Sequence, residues 1–370
     1  MEWYVNVNGK KLKRGFTTGT AATAALKASV LFNKYNIKPD NVNIELPNGE
    51  LINIPIYKYE IISGLKYAFV KKDAGDDADI TNQCLIYCSF KYENLNNIIF
   101  DSYEGVGKIT KDGLDISKGE FAINPIPREM MKKVLNEENI KNGRVIVNVK
   151  NGEILAKKTL NENLGIIDGI SILGTTGIVE PMNENAWKES LIPHISIVSK
   201  QFDTITLLLG GKGLSIYKKY SFFKEDYILC GNHIGYSIEK SLEMGIKKIH
   251  ILGSFQKLIK LAGLNLNTDS RYTDSKNELL ALLYILFTEK YDKEVIDKIL
   301  NLKTIYNFLD ILKNNDINIK KFFIFVSEYI SHKLSNKFNA EFVISLCDKT
   351  QIISHRGDEQ NYLYFRNTDQ

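Results

Sequence analysis

Cysteine is scarce in this chain: four in 370 residues, Cys84 and Cys88 close together, Cys230 and Cys347 far apart. That spacing builds no disulfide framework, and reduced thiols in a cytoplasmic protein are the expected state. Histidine is nearly as rare. His194, His233, His250, His332 and His355 are dispersed, with no pair at ligand spacing on one element, so no metal site is predicted. An excess of one charge is also missing: 48 Lys and Arg against 44 Asp and Glu leave a formal net charge of +4. No dense basic face accompanies it, which argues against a nucleic-acid partner. Long apolar runs are absent as well. The longest, residues 279–287, falls well short of the roughly 20 residues that span a bilayer, and the opening Met1-Glu2-Trp3-Tyr4 leads into polar residues rather than a secretion signal. No membrane association is expected.

What is present is globular: 44% hydrophobic and 25% charged residues over a length that suggests two domains. The first part alternates strands with a few helices. Alanine-rich residues 21–32 read as a helix, 42–46 and 51–56 as strands around Pro47-Asn48-Gly49, and 67–72 and 85–92 as further strands. Pro125 and Pro127 introduce a helix over 128–135, and 144–149 and 153–158 read as a hairpin about Asn151-Gly152. This is an α+β domain, placed at 1–160.

Beyond it the rhythm becomes strand, glycine loop, helix. Apolar segments 170–173, 204–209, 227–230 and 249–252 run into Gly174-Thr175-Thr176-Gly177, Gly210-Gly211, Gly231-Asn232 and Gly253-Ser254. Helical periodicity follows, clearest at 234–243 and 255–262. Such units predict a Rossmann-like parallel α/β domain over 161–370, so the expected fold class is α/β. Residues 278–309 and 321–334 read as amphipathic helices and 341–346 as a closing strand. Ligands in such sheets bind beyond the carboxyl ends of the strands, which selects Gly174, Thr175, Thr176, Gly177, Gly210 and Gly211 as the expected cofactor loops. His233 follows one of these loops and is a lesser candidate for lining the pocket.

Other segments have two readings each. Arg14-Gly15-Phe16-Thr17-Thr18-Gly19-Thr20 sets small residues before a helix, suiting either a simple cap or an anion held by free backbone N–H groups. The loop from Lys72 to Asp79 holds Asp73, Asp76, Asp77 and Asp79, fit either for a polar turn or for base or electrostatic work. It is no calcium loop, because the glycine is misplaced and no closing Glu follows. Glu104-Gly105-Val106-Gly107-Lys108 lacks the features of a dinucleotide or Walker loop, which weighs against nucleotide phosphoryl transfer. Arg128, at a helix start, has the geometry to clamp a carboxylate.

Taken together the chain resembles the CbiD family of cobalt-precorrin-5B methyltransferases. The resemblance is carried by RGFTTGT from Arg14, KDAGDDADIT from Lys72, EGVGKITKDG from Glu104, AINPIPR from Ala122, KTLNENLG from Lys158 and GISILGTTGIVEPM from Gly169. It implies S-adenosylmethionine as methyl donor, a cobalt-bearing tetrapyrrole as acceptor at ring carbon C-1, and anaerobic cobalamin biosynthesis as the setting. For such a reaction Asp73, Asp76 and Asp77 are the best available carboxylates for base or electrostatic work, and Thr17, Thr18, Gly19, Thr20, Glu104, Gly105 and Arg128 are the expected substrate contacts. Arg14, Lys108 and Lys111 are further receivers for the macrocycle's carboxylates. The sequence also departs from the family pattern. Ser254 and Asp269 stand where relatives carry histidine, Gln256 where they carry glycine before the run Lys257-Leu258-Ile259-Lys260, and Leu209 and Ala21 replace a proline and a cysteine. A corrinoid binder that has lost catalysis is therefore the competing expectation.

Overall fold

The alanine-rich segment forms a helix at Thr18–Tyr35, capped by Thr17 at one end and ended by Asn36 in a left-handed conformation. Ala21, Ala22, Ala24, Ala25 and Ala28 are fully buried, so the helix backbone lies close against strands Leu65–Lys71 and Leu85–Lys91. In the computed structural model, which describes residues 3–7, 9–219, 226–271, 274–347 and 352–355, this helix and helix Pro125–Glu137 cover one face of a sheet. That sheet runs in the order 58–62, 65–71, 85–91, 143–149, 98–101, antiparallel except for its last pair. The opposite face carries Tyr67, Phe69, Tyr87 and Ile146, with Phe69 stacked on Tyr87 at 4.5 Å between ring centroids. The expected hairpin Asn41–Glu45 with Leu51–Pro55 is present beside it.

Two expected strands are not found here. After strand Gly143–Val149 the chain turns at Asn151 and enters a short helix, Gly152–Ala156, instead of a returning strand. A two-residue hairpin turn of the favoured type needs positive φ at both central residues, and only Asn151 has it. Residues 170–173 also join no parallel sheet. Ile170 bridges Val106 and Ile172 bridges Ile123, while Ile166–Ile167 pairs with Lys108–Ile109 and Ile178–Val179 with Gly15–Phe16. Those pairings place residues 161–184 with the first body. The chain divides into units at 1–184 and 185–370, later than the boundary at 160 read from the sequence.

The second unit is the parallel α/β body. Its sheet has the order Tyr227–Leu229, Thr204–Leu209, Lys248–Ser254, Glu341–Cys347, Ile352–His355, with the first four strands parallel and the last antiparallel. Alternate residues explain why both faces are apolar. Ile205, Leu207, Ile249, Ile251 and Ile344 meet helices 184–199, 234–243, 276–288 and 319–338, while Leu208 and Leu252 meet helix Gly210–Lys219. The long amphipathic stretch at 278–309 is three helices, Lys276–Thr288, Lys293–Leu300 and Ile305–Asn314. The breaks come at Glu289, which is left-handed, and at Asp292 and Thr304, whose side chains cap the next helices. No helix among the described residues is long and apolar enough to cross a membrane.

From strand Thr204–Leu209 the chain moves to one side, to Tyr227–Leu229, and then returns to Lys248–Ser254 on the other. The order therefore reverses between the carboxyl ends at Leu209 and Gly253, the place where open parallel sheets leave a crevice.

Candidate functional site

The opening motif of the first unit is a knot of backbone and hydroxyl contacts. Thr17 accepts from the Thr20 amide at 3.2 Å, the Gly19 amide donates to the Leu173 carbonyl at 3.0 Å, and the Ala21 amide donates to Thr17 at 3.0 Å. Thr18 Oγ1 accepts from the Leu173 amide at 2.9 Å, and Thr20 Oγ1 donates to the Gly177 carbonyl at 2.7 Å. Thr17, Thr18, Gly19 and Thr20 are all buried. The helix start is therefore occupied by Leu173 and its own cap, and the free donors expected for an anionic substrate are not offered there.

The acidic loop is engaged in the same way. Asp73 accepts from Lys13 Nζ at 2.7 Å and from the Gly75 amide at 2.8 Å. Burial raises its pKa, but the Lys13 ammonium and the Gly75 amide outweigh this and hold the carboxyl below its ordinary value. Asp76 accepts from the Lys13 amide at 2.6 Å, and Asp77 from the Met182 amide at 3.2 Å. Each of the three carboxylates expected to do catalytic work thus holds a neighbouring strand or loop. Gly15 lies directly on the loop, and a Cβ there would overlap the Ala74 backbone.

Asp79, in the same loop, has the most buried partner. Its Oδ2 receives Lys72 Nζ at 2.6 Å, and its Oδ1 receives the Thr81 amide at 2.7 Å and hydroxyl at 2.6 Å; the Lys72 side chain is 1% exposed. Desolvation raises the Asp79 pKa, but the Lys72 charge and these hydrogen bonds prevail and lower it. Replacing Asp79 by Asn leaves the buried ammonium uncompensated and is expected to cost about 3–5 kcal/mol of stability. The double variant Lys72→Met, Asp79→Asn should recover much of it. Because the folded pKa is depressed, the pair's contribution is complete above the usual carboxylate range and lost as pH falls through the lowered value. Denaturant unfolding as a function of pH checks both points. A stable single Asn variant would show that the pair does not hold the loop.

Glu104 and Gly105 also face inward. The Glu104 carboxylate accepts from the Tyr87 hydroxyl, whose pKa is raised by burial and by that carboxylate. The Asn148 side chain caps the turn by accepting from the Tyr103 amide at 2.8 Å and the Glu104 amide at 3.1 Å. Gly105 is crossed by two other stretches of chain: Ile170 donates to its carbonyl at 3.0 Å, and Gly152 packs against it. Arg128 donates through Nε to the Ile123 carbonyl at 2.6 Å, and pairs with Glu120 at 2.8 Å. Arg14 pairs with Glu180 at 2.5 Å and Lys111 donates to Asn163 at 3.2 Å. Arg14, Arg128 and Lys111, expected to receive substrate carboxylates, are thus bonded within the unit, whereas Lys108 is exposed with its ammonium 5.9 Å from the Phe121 ring centroid. Of the loop Gly174-Thr175-Thr176-Gly177, Thr175 and Thr176 are exposed, but the loop sits in this unit and not at the end of a parallel strand.

Gly210 and Gly211 do lie where the sequence placed them, at the carboxyl end of strand Thr204–Leu209 and the start of helix Gly210–Lys219. Among the described residues, and leaving aside the adjoining backbone, nothing lies within 4 Å of a Cβ built at Gly211, and at Gly210 such an atom would meet Lys257, at 3.4 Å from Nζ. Around this opening, Asn232 follows strand Tyr227–Leu229 and Ser254 ends strand Lys248–Ser254. Asn232 Oδ1 accepts from Lys257 Nζ at 2.9 Å and from Thr268 Oγ1 at 3.2 Å, and its Nδ2 donates to Asp269 at 3.3 Å. Asp269 is bound by Arg271, through Nε at 3.1 Å and NH2 at 2.5 Å, which holds its pKa down to about 2. Lys260, 3% exposed, donates to the Thr268 carbonyl and to Ser270 Oγ, both at 3.1 Å. Cys230 is wholly buried, and burial pushes its thiol up to about 12, so it is no nucleophile at neutral pH.

The structure therefore separates the expected site residues. Thr17 to Thr20, the acidic loop and Gly174 to Gly177 come together in the first unit, Glu104 and Gly105 form a second knot there, and Gly210 and Gly211 belong to the second unit. Ser254 and Asp269, two of the positions of departure, lie at the same end of the parallel sheet. Asn232, Lys257 and Lys260 went unassigned in the sequence reading. Their signal was available: Lys257 is three residues past a strand end, and Lys260 is one helical turn further.

The family model described as CbiD matches residues 5–181. A protein from Thermosipho africanus named cobalt-precorrin-5B C(1)-methyltransferase is 38% identical over 310 residues, 82% of this chain and 86% of its own. Proteins of the same name are 38% identical in Methanocaldococcus jannaschii, covering 89% and 91% of the two chains, and 36% identical in a Thermoanaerobacter species, covering 97% and 99%. A solved structure described as cobalamin biosynthesis protein CbiD from Archaeoglobus fulgidus has a TM-score of 0.40 and 29% identity, covering 73% and 86%. With such identity along nearly its whole length, the chain belongs to the CbiD family.

Proposed function

We propose that the chain transfers the methyl group of S-adenosylmethionine to C-1 of cobalt-precorrin-5B in cobalamin biosynthesis. The observation that carries this reading is the likeness, over both units, to proteins named for that reaction. S-Adenosylmethionine supplies the methyl group by in-line displacement: the carbon–sulfur bond breaks with its electron pair going to sulfur as the new carbon–carbon bond forms. What the protein contributes is placement and exclusion of water.

The open space over Gly210 and Gly211, bordered by Asn232 and Lys257, fits a donor of this kind. It combines room for a ligand backbone, a cation and an amide. Asp73, Asp76 and Asp77 act as positioning residues that fix the strand and loop around Lys13, Gly75 and Met182. The inward-facing Thr17–Thr20 segment has the same role for the 173–177 loop. Anaerobic incubation with S-adenosylmethionine and the cobalt-precorrin, followed by mass spectrometry, should give a product one methyl heavier that depends on the donor. No gain, while a relative is active in parallel, would overturn the reading in favour of a silent corrinoid binder.

A further inference from the structure

Lys257 is a half-buried cation with no carboxylate bonded to it. Its ammonium donates to the neutral Asn232 Oδ1 and forms no ion pair with any described residue. Burial lowers its pKa, outweighing the raising influence of Cys230 and Asp269, and Lys260 adds a smaller push downward. The acid nearby, Asp269, acts on it through charge but makes no bond to it, and Arg271 holds that carboxylate through both oxygens. A half-buried ammonium bonded to a neutral amide has room for a charge-assisted bond to an incoming anion.

The direction in which that anion would arrive is fixed by Gly210. Among the described residues beyond the adjoining backbone, the atoms nearest to its missing Cβ are Lys257 Nζ at 3.4 Å and Cε at 3.9 Å. Gly211 beside it faces open space. The ammonium therefore borders the space left by two residues without side chains, at the point where strand order reverses.

We propose that Lys257 receives the α-carboxylate of the methyl donor's methionine portion, bound over Gly210-Gly211. The inference rests on the donor reading above and adds the residue that recognises the amino-acid end of the donor. Lys260 has a different part: its bonds to Thr268 and Ser270 hold the 268–271 loop, which in turn keeps Asp269 on Arg271.

The test compares two ligands that share the adenosine and the sulfur but differ in the carboxylate. S-Adenosylhomocysteine carries it; 5′-methylthioadenosine does not. Calorimetric titration of the native chain, Lys257→Met and Lys257→Arg with both ligands reads the contact directly. Lys257→Met should weaken S-adenosylhomocysteine about 10- to 100-fold, as expected for loss of one charge-assisted bond, and leave methylthioadenosine unchanged. Lys257→Arg should keep part of the affinity. Unchanged methylthioadenosine binding also certifies that the variant is folded. Equal weakening of both ligands, or of neither, overturns the assignment. A loss confined to the tetrapyrrole, with S-adenosylhomocysteine unaffected, gives the lysine to a substrate carboxylate and overturns it too. Failure of the native chain to bind either adenosyl ligand removes the donor reading itself, and this inference with it.

Discussion

Alanine at Gly105 should unfold the first unit under conditions in which the native chain is stable. Gly105 has φ +69, a conformation that costs an L residue about 1–2 kcal/mol by itself. Space is the larger objection. The new Cβ would overlap the Val149 carbonyl oxygen and lie 2.8 Å from the Gly152 amide nitrogen, both backbone atoms that no rotamer change can move. The neighbouring backbone is fixed in turn, since Ile170 donates to Gly105 and Gly107 donates to Ile170. A combined penalty above about 4 kcal/mol is expected. For a unit of 184 residues that corresponds to a fall in melting temperature of roughly 8–16 °C. Gly49→Ala is the matched control, because φ is +86 there but nothing lies within 4 Å of the new atom. Calorimetry should find a small effect at 49 and a large one at 105. Equal small shifts would mean that the three-way crossing at Gly105 relaxes freely.

Periodicity served the second unit well because its central strands are buried on both faces, and the strands ending at Leu209, Leu229 and Ser254 each have glycine at or just past their end. Strands 204–209 and 248–254 and helix 234–243 follow directly from that pattern. The same cue misled at 170–173, where an apolar run followed by Gly174 imitates a parallel strand end. Its partners, Val106 and Ile123, are distant in sequence, and nothing local distinguishes such bridges from a sheet ladder. The loops at Thr17–Thr20, Asp73–Asp79 and Gly210-Gly211 were legible as features, but their purpose was not. Small hydroxyl residues before a helix and a dense acidic loop look alike whether they await a ligand or hold the chain. Only the partners decide, and Leu173, Gly177, Lys13 and Met182 lie in other segments. Lys257 was hidden for the opposite reason. An isolated lysine on a short helix looks solvated until Asn232 and Gly210 are placed beside it.

Gly211 offers the opposite experiment to Gly105. It is the second residue of helix Gly210–Lys219 in ordinary backbone conformation, and a Cβ added there meets no atom of the described residues beyond the adjoining backbone within 4 Å, so a side chain can start from it without backbone strain. Leucine is also the better helix former, by about 1 kcal/mol in a helix interior, so the melting temperature of Gly211→Leu should stay level or rise slightly. Its side chain nevertheless enters the space assigned to the donor. Because even a small misplacement of a reacting group costs on the order of 100-fold in rate, turnover should fall at least about 100-fold, with S-adenosylhomocysteine binding lost in parallel. Gly211→Ala should give a smaller loss of the same kind, since its single carbon reaches less far. The neighbouring Gly210 cannot serve, because its φ of +81 would mix strain with blockage. A fully active, stable Gly211→Leu enzyme would remove the donor from this crevice, whereas a stable and inactive one would separate, within one family, the glycines that hold the fold from those that leave room for chemistry.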